Sequence, residues 1–125
     1  MRHDEFMTKV GQRADISLEA ADAVTSATLR TLAERVSGGA ASELATPLPE
    51  ELRSHLADAD EPAEPFGADE FVRRVADRAA TDADRASAGI RAVFVTLRET
   101  VPSGTLGNVE TQLPKEYAGL VGAKS

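Results

Sequence analysis

Asp69-Glu70-Phe71-Val72-Arg73-Arg74-Val75-Ala76-Asp77-Arg78-Ala79 restates, 65 positions on, the frame of Asp4-Glu5-Phe6-Met7-Thr8-Lys9-Val10-Gly11-Gln12-Arg13-Ala14. The match runs without a gap from residues 4–56 onto 69–121 and holds 18 identities in 53 pairs. The shared residues include Thr31-Leu32 with Thr96-Leu97, Glu34 with Glu99, Val36 with Val101, Gly39 with Gly104, and Leu48-Pro49 with Leu113-Pro114. Shared composition does not place punctuation residues in the same order, so the chain is an internal duplication.

The duplication decides an ambiguous stretch. Ala92-Val93-Phe94-Val95-Thr96-Leu97 alone reads as a strand, but its counterpart Ala27-Thr28-Leu29-Arg30-Thr31-Leu32 does not. Around it, Ala86, Ile90, Val93, Phe94, Leu97 and Val101 step at helical spacing, so both copies are expected to be helices. The small residues Ala20, Ala23 and Ala27, and Ala88, Gly89 and Ala92, predict a close approach between these two long helices.

The first segment of each copy also carries one apolar stripe, Phe6, Met7, Val10 and Ala14 in the first. Asp4 and Asp69 suit an N-cap or a first turn, while Glu5 with Lys9, Asp69 with Arg73, and Glu70 with Arg74 are spaced for i,i+4 pairing. Ser17, and Thr81 or Asp82, are placed to cap the long helices. Gly38-Gly39 and Pro102-Ser103-Gly104 predict their stops, with glycine in the left-handed C-cap conformation. Leu48-Pro49-Glu50-Glu51-Leu52 and Leu113-Pro114-Lys115-Glu116-Tyr117 each open a last short helix with Pro at its first position.

A chain of 125 residues is expected to be one domain: repeat one at 4–56, an acidic Pro-rich linker at 57–68, repeat two at 69–121 and a tail at 122–125. One copy, at roughly 55 residues, is near the lower limit for independent stability, so the halves are expected to share a core. Its members are predicted to be Phe6, Val10, Leu29, Leu32, Val36, Leu48, Leu52, Phe71, Val75, Ile90, Phe94, Leu97, Leu113 and Tyr117.

The net charge is −7 and there is no cysteine. Residues 1–56 carry 6 basic and 9 acidic side chains, 57–68 carry none and 4, and 69–125 carry 8 and 8. Without a broad basic face, nucleic-acid binding is disfavoured. Thiolate zinc sites, disulfides and cysteine nucleophiles are excluded by composition. The absence of a long apolar run or a signal-peptide pattern leads to the expectation of a cytoplasmic chain with no membrane insertion.

Asp-Glu-Phe-x3-Val-x2-Arg-Ala, a long Ala-rich helix with Thr-Leu-x-Glu, a Gly turn, and Gln-Leu-Pro-x-Glu-Tyr resemble a prokaryotic family of small helical proteins. That family is catalogued as domain of unknown function 2267. Asp69–Ala79, Thr96–Glu99 and Gln112–Tyr117 carry the resemblance best. It implies a tandem all-helical unit and supplies no catalytic residue.

The residues themselves supply none either. His3 and His55 lack metal-ligand spacing, a phosphate loop is absent, and no Ser sits in a nucleophile elbow. No cofactor is expected. Phe66 is a large apolar residue in a polar connector, read first as an anchor over the following helix and otherwise as a docking residue. Arg73 and Arg74 are read first as partners of Asp69, Glu70 and Asp77, and otherwise as a clamp for an acidic ligand. Phe66, Arg73 and Arg74 are thus the interaction candidates.

The sequence predicts an all-α tandem repeat of two similar helical halves packed about an approximate two-fold. Functionally it points to a non-catalytic interaction module, self-associating or binding an unidentified protein partner. The alternative is a small-molecule or metal-binding protein, an enzyme among the options, with a site between the halves.

Overall fold

A computed structural model describes residues 2–56 and 64–121, the side chain of Val121 excepted. Linker residues 57–63 and the tail 122–125 lie outside the described residues. All regular structure among the described residues is helical: α1 (His3–Ala14), α2 (Leu18–Arg35), α3 (Gly38–Ala45), α4 (Glu50–Leu56), α5 (Ala68–Ala79), α6 (Ala83–Thr100) and α7 (Ser103–Glu110). A 3₁₀ turn at Lys115–Tyr117 then leads into α8 (Ala118–Val121). Ala92–Leu97 is helical, as its counterpart requires.

The bounds of α5, α6 and α7 are those of α1, α2 and α3 moved by 65 positions. Packing crosses between these sets: α1 lies on α6 and α5 lies on α2, while α2 and α6 also touch each other. α2 is the hub, in contact with α1, α3, α4, α5 and α6. At the α2–α6 crossing a Cβ on Gly89 would overlap the Val24 Cγ2 methyl and stand 3.1 Å from Cγ1. The expected close approach therefore depends on one glycine, which tolerates the cost of a helix interior because nothing larger fits.

Of the predicted core residues all but one are buried, and Leu113 is half-buried against the cluster. The stripes that predicted these helices are the faces they bury. Ser17 and Asp82 cap α2 and α6, their side chains accepting from the Ala20 and Arg85 N–H groups.

Several local expectations are corrected. α2 and α6 end on Val36 and Val101 in extended conformation, and Gly38, Gly39 and Gly104 belong to the next helices. The left-handed C-caps are instead Asp15 (φ 58°) and Ala80 (φ 57°), closing α1 and α5. There Ile16 N–H reaches back to Gly11 O and Thr81 N–H to Ala76 O, which satisfies carbonyls at the helix end and offsets the left-handed strain. Asp4 and Asp69 take the first-turn place of the two expected for them, with Arg2 and Gly67 at the cap positions. Pro49 and Pro114 stand one residue before their helical segments. Of the three i,i+4 pairs only Glu70 with Arg74 forms: Lys9 turns to Glu99 and Arg73 to Glu70.

Candidate functional site

The duplicated polar residues meet across the seam. Arg13 of α1 donates from Nη1 to Thr96 Oγ1 (2.9 Å) and from Nη2 to Glu99 Oε2 (2.5 Å) on α6. Arg78 of α5 donates from Nη1 to Thr31 Oγ1 (2.9 Å) and from Nη2 to Glu34 Oε2 (2.6 Å) on α2. Each buried threonine hydroxyl in turn donates to the carbonyl four residues back, Ala92 or Ala27, so neither is orphaned. The Thr-Leu-x-Glu element thus presents a hydroxyl and a carboxylate one turn apart, and a guanidinium fork spans both.

Around the second of these contacts lie all three interaction candidates. Arg74 donates from Nε to Glu70 Oε2 (2.8 Å), from Nη1 to Glu34 Oε1 (2.9 Å) and from Nη2 to Glu64 Oε1 (3.2 Å). Its guanidinium also covers the Phe66 ring at 4.0 Å from the centroid. Phe66 packs beside Phe71, which meets Tyr117 edge-on with centroids 5.7 Å apart. The Phe66 carbonyl accepts from Tyr117 Oη (2.7 Å) and Arg35 Nε (2.8 Å). Arg73 pairs with Glu70 while its side chain stays mostly exposed.

The electrostatics of this cluster fix its charges. Hydrogen bonds from Arg74 and then Arg73 hold the Glu70 carboxyl below its ordinary range. Burial pushes Glu34 up, but Arg78 and Arg74 together outweigh it and the net shift is down. The Glu70 hydrogen bond foremost holds Arg74 firmly protonated, and burial raises the Tyr117 phenol. Shifted in these directions, Glu34, Glu70, Arg74 and Tyr117 are not poised to exchange a proton near neutrality.

The Gln-Leu-Pro-x-Glu-Tyr stretch is taken up in the same way. Gln112 Oε1 accepts from Ser37 N–H (2.7 Å) at the start of α3, and Glu116 Oε2 accepts from Ala68 N–H (2.6 Å) at the start of α5. Gly67 leaves room for that carboxylate, which a Cβ would strike. The signature residues thus cap helices distant in sequence.

One further polar group lies nearer the N-terminal end of α2. His55 of α4 faces Ser26 Oγ through Nε2 (3.0 Å) and accepts from Arg30 Nε through Nδ1 (3.4 Å). With Nδ1 accepting, Nε2 carries the proton and donates to Ser26, so the ring is no base for that hydroxyl. Burial, then Arg30, lowers the His55 pKa, against the opposing pull of Asp22. His3 approaches Asp22 at 3.7 Å, yet the described residues hold no group of three His, Cys, Asp or Glu arranged for a metal. The described depressions are shallow: one is lined by Arg2, His3, Asp4, Pro49 and Glu51.

Arg35 is the participant that sequence reasoning passed over. The available signal was a departure from the repeat, since position 100, its counterpart 65 residues on, is Thr. No helix of the described residues is long and apolar enough to cross a membrane. A search of curated proteins finds no match for the chain. The pattern built above coincides with a family profile that extends over residues 3–120, and the chain belongs to that family, the uncharacterized conserved protein family DUF2267.

Proposed function

We propose that this chain is a non-catalytic helical interaction module. The observation that carries the reading is the use of its duplicated and signature residues. Arg13, Arg78, Thr31, Thr96, Glu34 and Glu99 join helices, and Gln112, Glu116 and Tyr117 cap or pin them. An enzyme of this size would be expected to hold some of its recurrent polar groups free for substrate.

The domain reading accompanies it: one unit of two similar halves about an approximate two-fold, with residues 57–68 as connector. The coincident helix bounds and the reciprocal α1–α6 and α5–α2 packing support it. The partner is a protein, either a second copy or another chain; the acidic composition disfavours nucleic acid, and the proposed setting is cytoplasmic. The direct α2–α6 crossing at Gly89 disfavours a ligand groove between the long helices.

Light scattering across a concentration series, paired with affinity capture and rebinding of any captured protein in purified form, tests the module. A concentration-dependent dimer or a rebinding partner is the expected result. A strict monomer with nothing rebinding overturns it, and a thermal-shift screen yielding one stabilising metabolite would favour the small-molecule alternative.

A further inference from the structure

We propose that Arg35 is a receptor for a carboxylate carried by a protein partner. The inference rests on the interaction-module reading and names the chemistry of the partner. Arg35 is the most buried arginine described, with 8% of its surface exposed, yet no described carboxylate oxygen comes within 4.0 Å of it. Arg13, Arg74, Arg78 and Arg98, with side chains 25–34% exposed, each have such a partner.

Its Nε–H donates to the Phe66 carbonyl, and the guanidinium also lies against the Tyr117 hydroxyl, whose pKa it pulls down against burial. The guanidinium carbon stands 5.6 Å from the Tyr117 ring centroid, so the plane is held on two sides. Neither Nη group is sealed in: among the described residues Thr25 Oγ1 is the buried side-chain polar atom without a partner. Each Nη group therefore keeps some exposure, while the Phe66 carbonyl and the tyrosine ring fix the plane of the guanidinium. Carbonyls at the C-terminal end of α2 and the tyrosine face make the cation tolerable there.

A fork of two parallel N–H groups fits the two oxygens of a carboxylate. A phosphate dianion is less suited, because Glu34, Glu64 and Glu116 lie around the same helix ends and the chain carries −7 overall, which repels a double charge more strongly. Preorganisation reduces the ordering cost of the contact. Since Thr100 stands at the corresponding place in the second copy, one carboxylate per chain is expected.

The full-length protein with ¹⁵N-labelled arginine tests this by titration with hexaglutamate, with hexaglutamine and inorganic phosphate as separate arms. A saturable shift of the Arg35 Nε–Hε resonance at one hexaglutamate per chain is expected, with hexaglutamine silent and phosphate weaker. Arg35→Lys keeps the charge without the fork and should bind hexaglutamate at least about 10-fold less tightly. Its melting curve is recorded alongside, and the wild-type titration stands if that variant fails to fold. An Arg35 resonance unmoved by hexaglutamate, or moved equally by hexaglutamine or more by phosphate, overturns the site. Dimerisation or partner capture with an indifferent Arg35 removes this site alone, whereas hexaglutamate binding in a strict monomer that captures nothing removes the module and leaves the receptor.

Discussion

Arg13 on Thr96 and Glu99, and Arg78 on Thr31 and Glu34, are one contact made twice with different surroundings. Among the described residues Glu99 has Lys9 at 3.6 Å as its one second cation, whereas Glu34 shares a carboxylate between Arg78 and Arg74. Beyond Glu34 lie Glu70, Glu64, Phe66 and Tyr117; Glu70 keeps its type in the first copy, as Glu5, whereas Tyr117 answers to Leu52. The shared part holds the helices together, and the unshared part is where the proposed interaction residues stand. The match at an offset of 65 therefore separates the two sets of residues more cleanly than burial does.

The largest test asks whether the two long helices bear equal load. Leu32 and Leu97 are both fully buried at matching positions. Leu32→Ala and Leu97→Ala should each destabilise by about 2–5 kcal/mol in urea unfolding. A loss within error at one position alone would show that the copies contribute unequally.

The crossing should then distinguish them. Gly89→Ala places a methyl against Val24 and is expected to cost about 1–3 kcal/mol. Adding Val24→Ala should recover part of that loss, and additive effects in the double-mutant cycle would place the overlap elsewhere. Thr25 offers a change of opposite sign: its hydroxyl is buried without a partner, while its counterpart Ile90 is apolar and buried. Thr25→Val should stabilise by roughly 1 kcal/mol by removing an unmet polar group. An unchanged or lower melting temperature would show that the hydroxyl has a partner in solution.

The reciprocal contacts respond less. Arg13→Met removes the hydrogen bond to Thr96, worth roughly 1 kcal/mol, and leaves Glu99 with Lys9 alone. Arg78→Met should cost less because Arg74 stays on Glu34, and the reverse order in urea unfolding would contradict the surroundings described.

The smallest effect is in pH. His55, whose counterpart is the buried Leu120, has a pKa lowered from the ordinary 6.5 by burial and Arg30. Its contribution is therefore fully present above pH 6.5 and is lost as pH falls through the lower folded value. Stability measured between pH 7.5 and 5 should fall in the wild type and fall less in His55→Asn. Parallel slopes would remove the histidine as the cause.

Much of this fold was legible because its signals are local and written twice. The stripe Ile90, Phe94, Leu97 and the caps Ser17 and Asp82 lie within a few turns of what they determine. The ends of the long helices were misread because glycine is a permissive signal: Gly38, Gly39 and Gly104 begin helices here, while the left-handed positions are held by Asp15 and Ala80 through backbone bonds that spacing does not reveal. The candidate site was half legible. Phe66, Arg73 and Arg74 stand out by type, but Arg35 meets Phe66 across 31 positions and Glu34 meets Arg74 across 40, contacts that only the crossed packing creates.

Position 24 supplies bulk where position 89 supplies none, and each is right only opposite the other. Genetic exchange that made the copies identical there would set two valines in collision or two glycines around a void. For halves that arose as copies, as proposed above, natural variation should therefore resist homogenisation at that pair while allowing it at Leu32 and Leu97.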